Sequence, residues 1–426
     1  MKKLFIVLLT TLLSVSLLSQ NTSNNNKVYW VHGLGDKSSV WNVYKNALVA
    51  EGNRGTSSSW SMFDELASSA NQLNYYINYT DRQLFNGKKA IVFGHSAGGL
   101  IARQAALRNN RIRAVITAGT PNNGTRLGWA INDNSIYNAA DNVIRSLQTS
   151  LSIGSVAANA LLPGMGSAIV GGLGFIAANV GGEVGSCFAK KAIDDYLTDF
   201  KGSQAVSDMI PGSAFLNGIN TTPTVPIINI YGKEDGNRLI RLAGSAVNKE
   251  NIDSPDNGND QSYDEAFMPF YNGLLGTSIG LQVLHYSAGA TATVLGFWYP
   301  YLFAAAALNY SAGACWTSSH RVMQYDVHND WDKIIGAYHE ETHTDWHRFL
   351  WWTWTTSYVV PIYENSDGFI PNNSSKMDAS KGPRTTNIEI PGVNHLEMNS
   401  NINMRDILRR ILTTNEYGEE FNPTNN

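Results

Sequence analysis

The sequence predicts an α/β chain built on a largely parallel sheet flanked by helices, and three observations carry that prediction. Strand-like and helix-like segments alternate from Val28 to Ala118, the order that βαβ units require. One strand-to-helix junction is Gly94-His95-Ser96-Ala97-Gly98, a serine set between glycines. The 426 residues are 43% hydrophobic and only 15% charged, which suits a large buried core. A net charge of −4 gives no concentrated basic surface, so nucleic acid is not an expected partner.

The chain opens on Met1-Lys2-Lys3 and an uncharged run to Gln20, dense in Leu, Val and Ile. A basic start followed by a short apolar core reads as a secretory signal peptide over 1–20, which places the protein outside the cell or in the periplasm. The competing reading is an uncleaved membrane anchor. Val28 to Val31 is a compact buried-strand pattern, and it runs into His32-Gly33-Leu34-Gly35-Asp36. Trp41 to Val49 and Met62 to Asn71 read as helices, with a Gly/Ser-rich turn over Glu51 to Ser59 between them. Tyr75 to Tyr79, Lys89 to Phe93 and Arg111 to Ala118 read as strands. Thr120-Pro121-Asn122-Asn123-Gly124 is a turn cluster.

Two long uncharged stretches interrupt the alternation. Ser146 to Gly182 holds no Asp, Glu, Lys or Arg, and it is rich in Gly and Ala. Ala266 to His320 also lacks those residues and is rich in aromatics. Both read as close-packed or cap-forming insertions. A membrane span in the first is disfavoured by Pro163 and its glycines. Between them, Pro226 to Gly232 reads as a further sheet strand and Asn248 to Asp264 as a surface loop. Tyr358 to Val360 leads to Asp367, Ile388 to Ile390 leads to His395, and Met404 to Leu412 suits a closing helix. Cys187 and Cys315 are the two cysteines; outside the cytosol they either pair or stay as buried thiols.

The pentapeptide matters because a strand-turn-helix elbow exposes a serine hydroxyl at the sheet edge. Ser96 needs a base to take its proton and an acid to orient that base. Of nine histidines, His395 lies late in the chain after a strand, where a base is expected. His95 is inside the elbow, and its side chain should point away from the neighbouring hydroxyl. His32 suits an ordering role in its own loop. Asp367 sits on a turn just before His395 in sequence and is the favoured acid; Asp235, after the preceding strand, is the alternative. The Ala97 amide follows the nucleophile, and the Leu34 amide lies in the loop after the first strand. Together they suit an oxyanion hole.

A competing motif is His339-Glu340-Glu341-Thr342-His343. On a helix, His339 and His343 would share a face and ligate zinc, with Glu340 as the base of a metalloprotease.

The stretches "VHGLGD", "GHSAGGL", "AGTPNNGT" and "SDGFIP…NHLE", in this order, resemble the α/β-hydrolase superfamily, most closely its lipases. They are also similar to deacylases that act on glycolipid anchors. The resemblance implies an α/β-hydrolase fold, and the two stretches it leaves unmatched read as large, mainly helical apolar cap insertions. Its core would cover 27–125, 221–236 and 355–415, with insertions over 126–220 and 237–354. It implies ester hydrolysis by Ser96, Asp367 and His395, with no required cofactor. Glu397 stands where some such lipases hold calcium through an acidic residue two places after the histidine. The expected substrate is a lipid or other acyl ester, and the apolar insertions suit contact with a lipid surface. Acyl transfer or thioester hydrolysis on the same triad remains an alternative, as does a non-catalytic surface protein that binds through a hydrolase scaffold.

Overall fold

A computed structural model describes residues 28–48, 56–58, 60, 64–80, 89–133, 135–136, 200–221, 223–234, 238, 242, 264–300, 302–321, 327–349, 352–378 and 384–423. The signal-peptide expectation, the uncharged window 146–182, Cys187 and Asp235 lie outside the described residues. The elements run β1 (Val28–Val31), α1 (Asn42–Ala47), β2 (Thr56–Ser58), α2 (Leu66–Thr80), β3 (Ala90–His95), α3 (Ala97–Arg108), β4 (Ile112–Ala118) and α4 (Leu127–Asp133). They continue with α5 (Gln204–Asp208), α6 (Ala214–Ile219), β5 (Ile227–Lys233), α7 (Asp264–Gly296), α8 (Leu302–Arg321) and α9 (Val327–Ile335). The chain then forms β6 (Tyr338–Phe349), β7 (Trp352–Tyr363), α10 (Asn372–Ser375), β8 (Thr385–Pro391) and α11 (Ile402–Thr413).

Six strands form one parallel sheet in the order β2-β1-β3-β4-β5-β8. Its central strands are buried on both faces, so they read as continuous apolar runs. Strand alternation divides their side chains between two cores. Tyr29, Val31, Val92 and Val115 pack under α2 and α3 with Leu73, Ile77, Leu100 and Ile101. Val28, Trp30, Ile91, Phe93 and Ile116 face the other way, onto Trp41 and Tyr44 beside α1 and onto Met404, Leu408 and Ile411 of α11. The last three recur at helical spacing. Asn401 caps α11 by accepting from the Asn403 and Met404 amides.

Three sequence expectations are corrected. Tyr75 to Tyr79 is the C-terminal part of α2, not a strand. Leu66, Ala70, Leu73 and Ile77 are its buried stripe, while Tyr75 is 74% exposed and stacks on exposed Tyr79. The aromatic run looked like a strand because the two tyrosines, four apart, line the helix's outer face. Thr56 to Ser58, placed within a turn, pairs with β1 as the edge strand. Tyr358 to Val360 does not join the main sheet. It lies in the exposed antiparallel hairpin β6–β7, and β5 pairs directly with β8. That hairpin follows three helices, α7, α8 and α9, in the second insertion.

Candidate active site

The elbow is built from backbone constraint. Ser96 sits between β3 and α3 with φ 53 and ψ −128, and it is the one non-glycine residue with positive φ among the described residues. Such a conformation stores strain that tight packing must hold in place. Gly94 and Gly98 make the turn possible. A Cβ on Gly94 would lie 2.3 Å from the Gly98 carbonyl oxygen, and one on Gly98 would lie 2.5 Å from the Val31 and His32 carbonyl oxygens. The Ser96 amide donates to the Ala118 carbonyl at the end of β4. The following helix directs its first amides towards this corner, which favours negative charge there.

His395 and Asp367 meet at the same edge. His395 Nδ1–H donates to Asp367 Oδ2 at 2.8 Å, and the His395 amide donates to the Asp367 carbonyl at 2.7 Å. The other carboxylate oxygen, Oδ1, accepts from the Phe369 amide at 3.0 Å and the Ile370 amide at 2.7 Å. Asp367 is fully buried, so these three bonds compensate its lost hydration. The His395 loop is locked by its neighbours: Asn394 Oδ1 accepts from the Leu396 and Glu397 amides, and Glu397 Oε2 accepts from the Asn394 amide. Glu397 thereby caps the histidine loop. No cluster of three His, Cys, Asp or Glu side chains suited to a metal ion occurs among the described residues.

Ser96, His395 and Leu34 line one cleft, which opens to solvent. Its walls are mostly apolar, from Leu127, Ile131 and Met209 on one side and Phe369, Ile370 and Leu396 on the other. The Ala97 amide lies at the first turn of α3, and Leu34 follows β1 and lines the cleft. The structure thus brings Ser96, His395, Asp367, Leu34 and Ala97 to one end of the sheet.

Three residues that sequence patterns left without a role hold this site. His95 is buried and lines the cleft beside Ser96. Its Nε2–H donates to the His395 carbonyl at 3.0 Å, and its ring lies 4.7 Å from the His395 ring. Burial pushes the His95 pKa down, partly opposed by the nearby Asp36 carboxylate. Asp36 Oδ2 stands 3.6 Å from His95 Nδ1 and accepts from Asn399. Asn122, in the turn after β4, receives Arg103 Nη1 and donates to both Asn229 Oδ1 and the Ser375 carbonyl. Desolvation lowers the pKa of buried Arg103 to about 10. The available signal was polar residues inside otherwise apolar motif stretches. It marks a buried network but not its members' partners.

His32 plays the ordering role expected of it. Its Nδ1–H donates to the Gly33 carbonyl, its own carbonyl accepts from Trp60 Nε1, and its ring stacks on Trp60. The acid loop is braced from the second insertion, where Trp331 Nε1–H donates to the Gly368 carbonyl at 2.7 Å.

The zinc expectation fails on geometry. His339 to His343 lies on β6, not on a helix. Strand alternation puts His339, Glu341 and His343 on one face and Glu340 on the other. Glu341 contacts both histidines, and the stretch is exposed. The intended base therefore points away from the intended ligands.

Residues 25–151 match the protein-family model described as alpha/beta hydrolase fold. With the parallel sheet and the elbow, this match gives the chain the α/β-hydrolase fold. No curated protein matches the chain by sequence. Among solved structures, the mature lipase BlEst2 of Bacillus licheniformis is similar at 15% identity and a TM-score of 0.32, over 55% of this chain and 76% of that one. The phospholipase PlaB of Legionella pneumophila is similar at 14% identity and a TM-score of 0.31, over 49% of this chain and 39% of that one. A thermophilic esterase is similar at 13% identity and a TM-score of 0.31, over 91% of this chain and 89% of that one.

Proposed function

We propose, from the α/β-hydrolase fold and the geometry around Ser96, that this protein is a serine hydrolase of carboxylic esters with an acyl chain, and, from the basic start and apolar run of residues 1–20, that it is exported. The observation that carries the reading is a serine held at positive φ in the same cleft as a histidine bound to a buried aspartate. In this mechanism the Ser96 hydroxyl attacks the acyl carbonyl carbon while His395 Nε2 accepts its proton. The tetrahedral oxyanion lies between the Leu34 and Ala97 amides, each worth about 3 kcal/mol to the transition state. Collapse expels the alkoxide, which takes the proton from His395 Nε2–H and leaves an acyl-Ser96 ester. Water, deprotonated by His395, then attacks that ester and regenerates the serine. Asp367 fixes the tautomer, because its contact with Nδ1–H leaves Nε2 free to accept.

The apolar walls of the cleft support an acyl chain over a small polar ester. A fluorophosphonate probe tests the chemistry: it should label Ser96 and abolish turnover. A chain-length series of p-nitrophenyl esters tests the substrate class. A Ser96→Ala protein with full activity would remove the mechanism, and a preference for acetate over longer acyl groups would remove the lipid assignment.

A further inference from the structure

Helices α7 and α8 form an antiparallel hairpin that packs chiefly against itself. Its polarity is reversed relative to an ordinary surface hairpin. The polar pair is inside: His285 Nδ1–H donates to Asn309 Oδ1 at 3.1 Å, and both residues are buried. The apolar side chains are outside. Val283 and Leu284 on α7 and Leu308 on α8 are more than half exposed.

The two helices approach through small residues set against rings. A Cβ on Gly289 would lie 3.2 Å from the Tyr310 ring, one on Gly313 3.1 Å from the Tyr286 ring, and one on Gly296 2.9 Å from the Phe303 ring. Small-residue contacts of this kind let helices associate where no water drives them together. Four hydroxyls on the hairpin are satisfied within their own helix. Thr291, Thr293, Ser311 and Thr317 each donate to the carbonyl four residues earlier. That pattern hides a hydroxyl from a medium without hydrogen-bond partners.

The apex is the most apolar point. Phe297 is 78% exposed and Trp298 80%, with exposed Tyr299 beside them. No Asp, Glu, Lys or Arg occurs from Ala266 to His320. A patch for a protein partner normally carries a polar, charged rim, and this one has no charge on any face. No described helix is long and apolar enough to cross a membrane.

We propose that the apex of this hairpin, residues 294–300 with 302 and 303, inserts part-way into one leaflet of a lipid bilayer. The uncharged exterior complements the hydrocarbon boundary. Trp298 and Tyr299 suit the interfacial layer, where an amphipathic ring is most stable. The insertion is independent of the chemistry at Ser96.

The test uses the full chain carrying Ser96→Ala, floated with phosphatidylcholine vesicles at low and high salt. The expected result is flotation that is equal at both salts. Adding Phe297→Ser, Trp298→Ser and Tyr299→Ser together should weaken vesicle binding at least about tenfold. The same triple change in the active protein should leave short-ester turnover and the thermal melt unchanged, which shows that it folds. Trp298→Phe should keep binding but lose part of the tryptophan quenching by brominated lipid. Absence of flotation, loss of it at high salt, or a triple variant that floats like its parent would overturn the proposal. So would self-association of the parent without flotation, abolished by the triple change, which would make the apex an interface between copies.

Discussion

Replacing Asp367 by Asn is the sharpest probe of the acid, because the two carboxylate oxygens have different partners. Oδ1 accepts from two amides, and Oδ2 accepts from His395 Nδ1–H. An asparagine has one acceptor and one donor end. Its oxygen must stay with the two amides, since an NH2 there would face N–H groups. Its NH2 then faces His395 Nδ1. The ring can satisfy that donor only by moving its proton to Nε2, which points it at Ser96 in the wrong tautomer. The fold is kept, because both amide bonds survive. The rate is not, because Nε2 can no longer accept. The expected loss in kcat is about 10⁴-fold, or about 5.5 kcal/mol. Steady-state turnover of a p-nitrophenyl ester measures it, and a urea melt checks that stability moves by less than about 1 kcal/mol. Activity within tenfold of the parent would refute the role of Asp367. Loss in Asp235→Asn instead would transfer that role to the alternative acid.

Four further outcomes follow from the same geometry. Ser96→Gly should remove activity while raising the unfolding free energy by about 1 kcal/mol in a denaturant melt, because glycine accepts φ 53 without strain. Gly98→Ala should destabilise by about 1–3 kcal/mol in the same assay, since its Cβ meets two backbone carbonyls that cannot move aside. On α2, Ile77→Ala should cost about 2–4 kcal/mol and Tyr75→Ser less than about 0.5 kcal/mol, which separates a helix from the strand the sequence suggested. Burial lowers the His95 pKa, so below about pH 6.5 the unfolded chain binds a proton that the folded chain resists. Thermal stability should therefore be full above that pH and fall as pH drops through it. His95→Asn should flatten that dependence.

Some of the candidate site was legible because its chemistry is local. The elbow needs glycine on both sides of Ser96 for steric reasons that five residues display. The late histidine and its aspartate stand on turns after strand-like segments, and turn residues announce themselves. The core strands were legible because a doubly covered parallel strand must be apolar at consecutive positions. Segments at the edge were not. Thr56 to Ser58 is too short and polar to look like a strand, and pairing with β1 alone makes it one. Tyr75 and Tyr79 carry an aromatic signal without burial. The histidines of residues 339–343 match a ligand spacing that a helix and a strand both allow, and only the backbone decides where Glu340 points.

What the sequence determined by itself was the set of chemical groups and the alternation that makes a parallel sheet, since both follow from side-chain type and period. The tertiary structure alone decided which groups meet. Asp367 binds His395, His95 supports the His395 backbone, and Asn122 joins α3 to β5 and to Ser375 of α10. Those contacts join positions as far as 300 residues apart in the chain. Hydrogen bonds depend on distance and angle in space, and no periodicity along the chain encodes either.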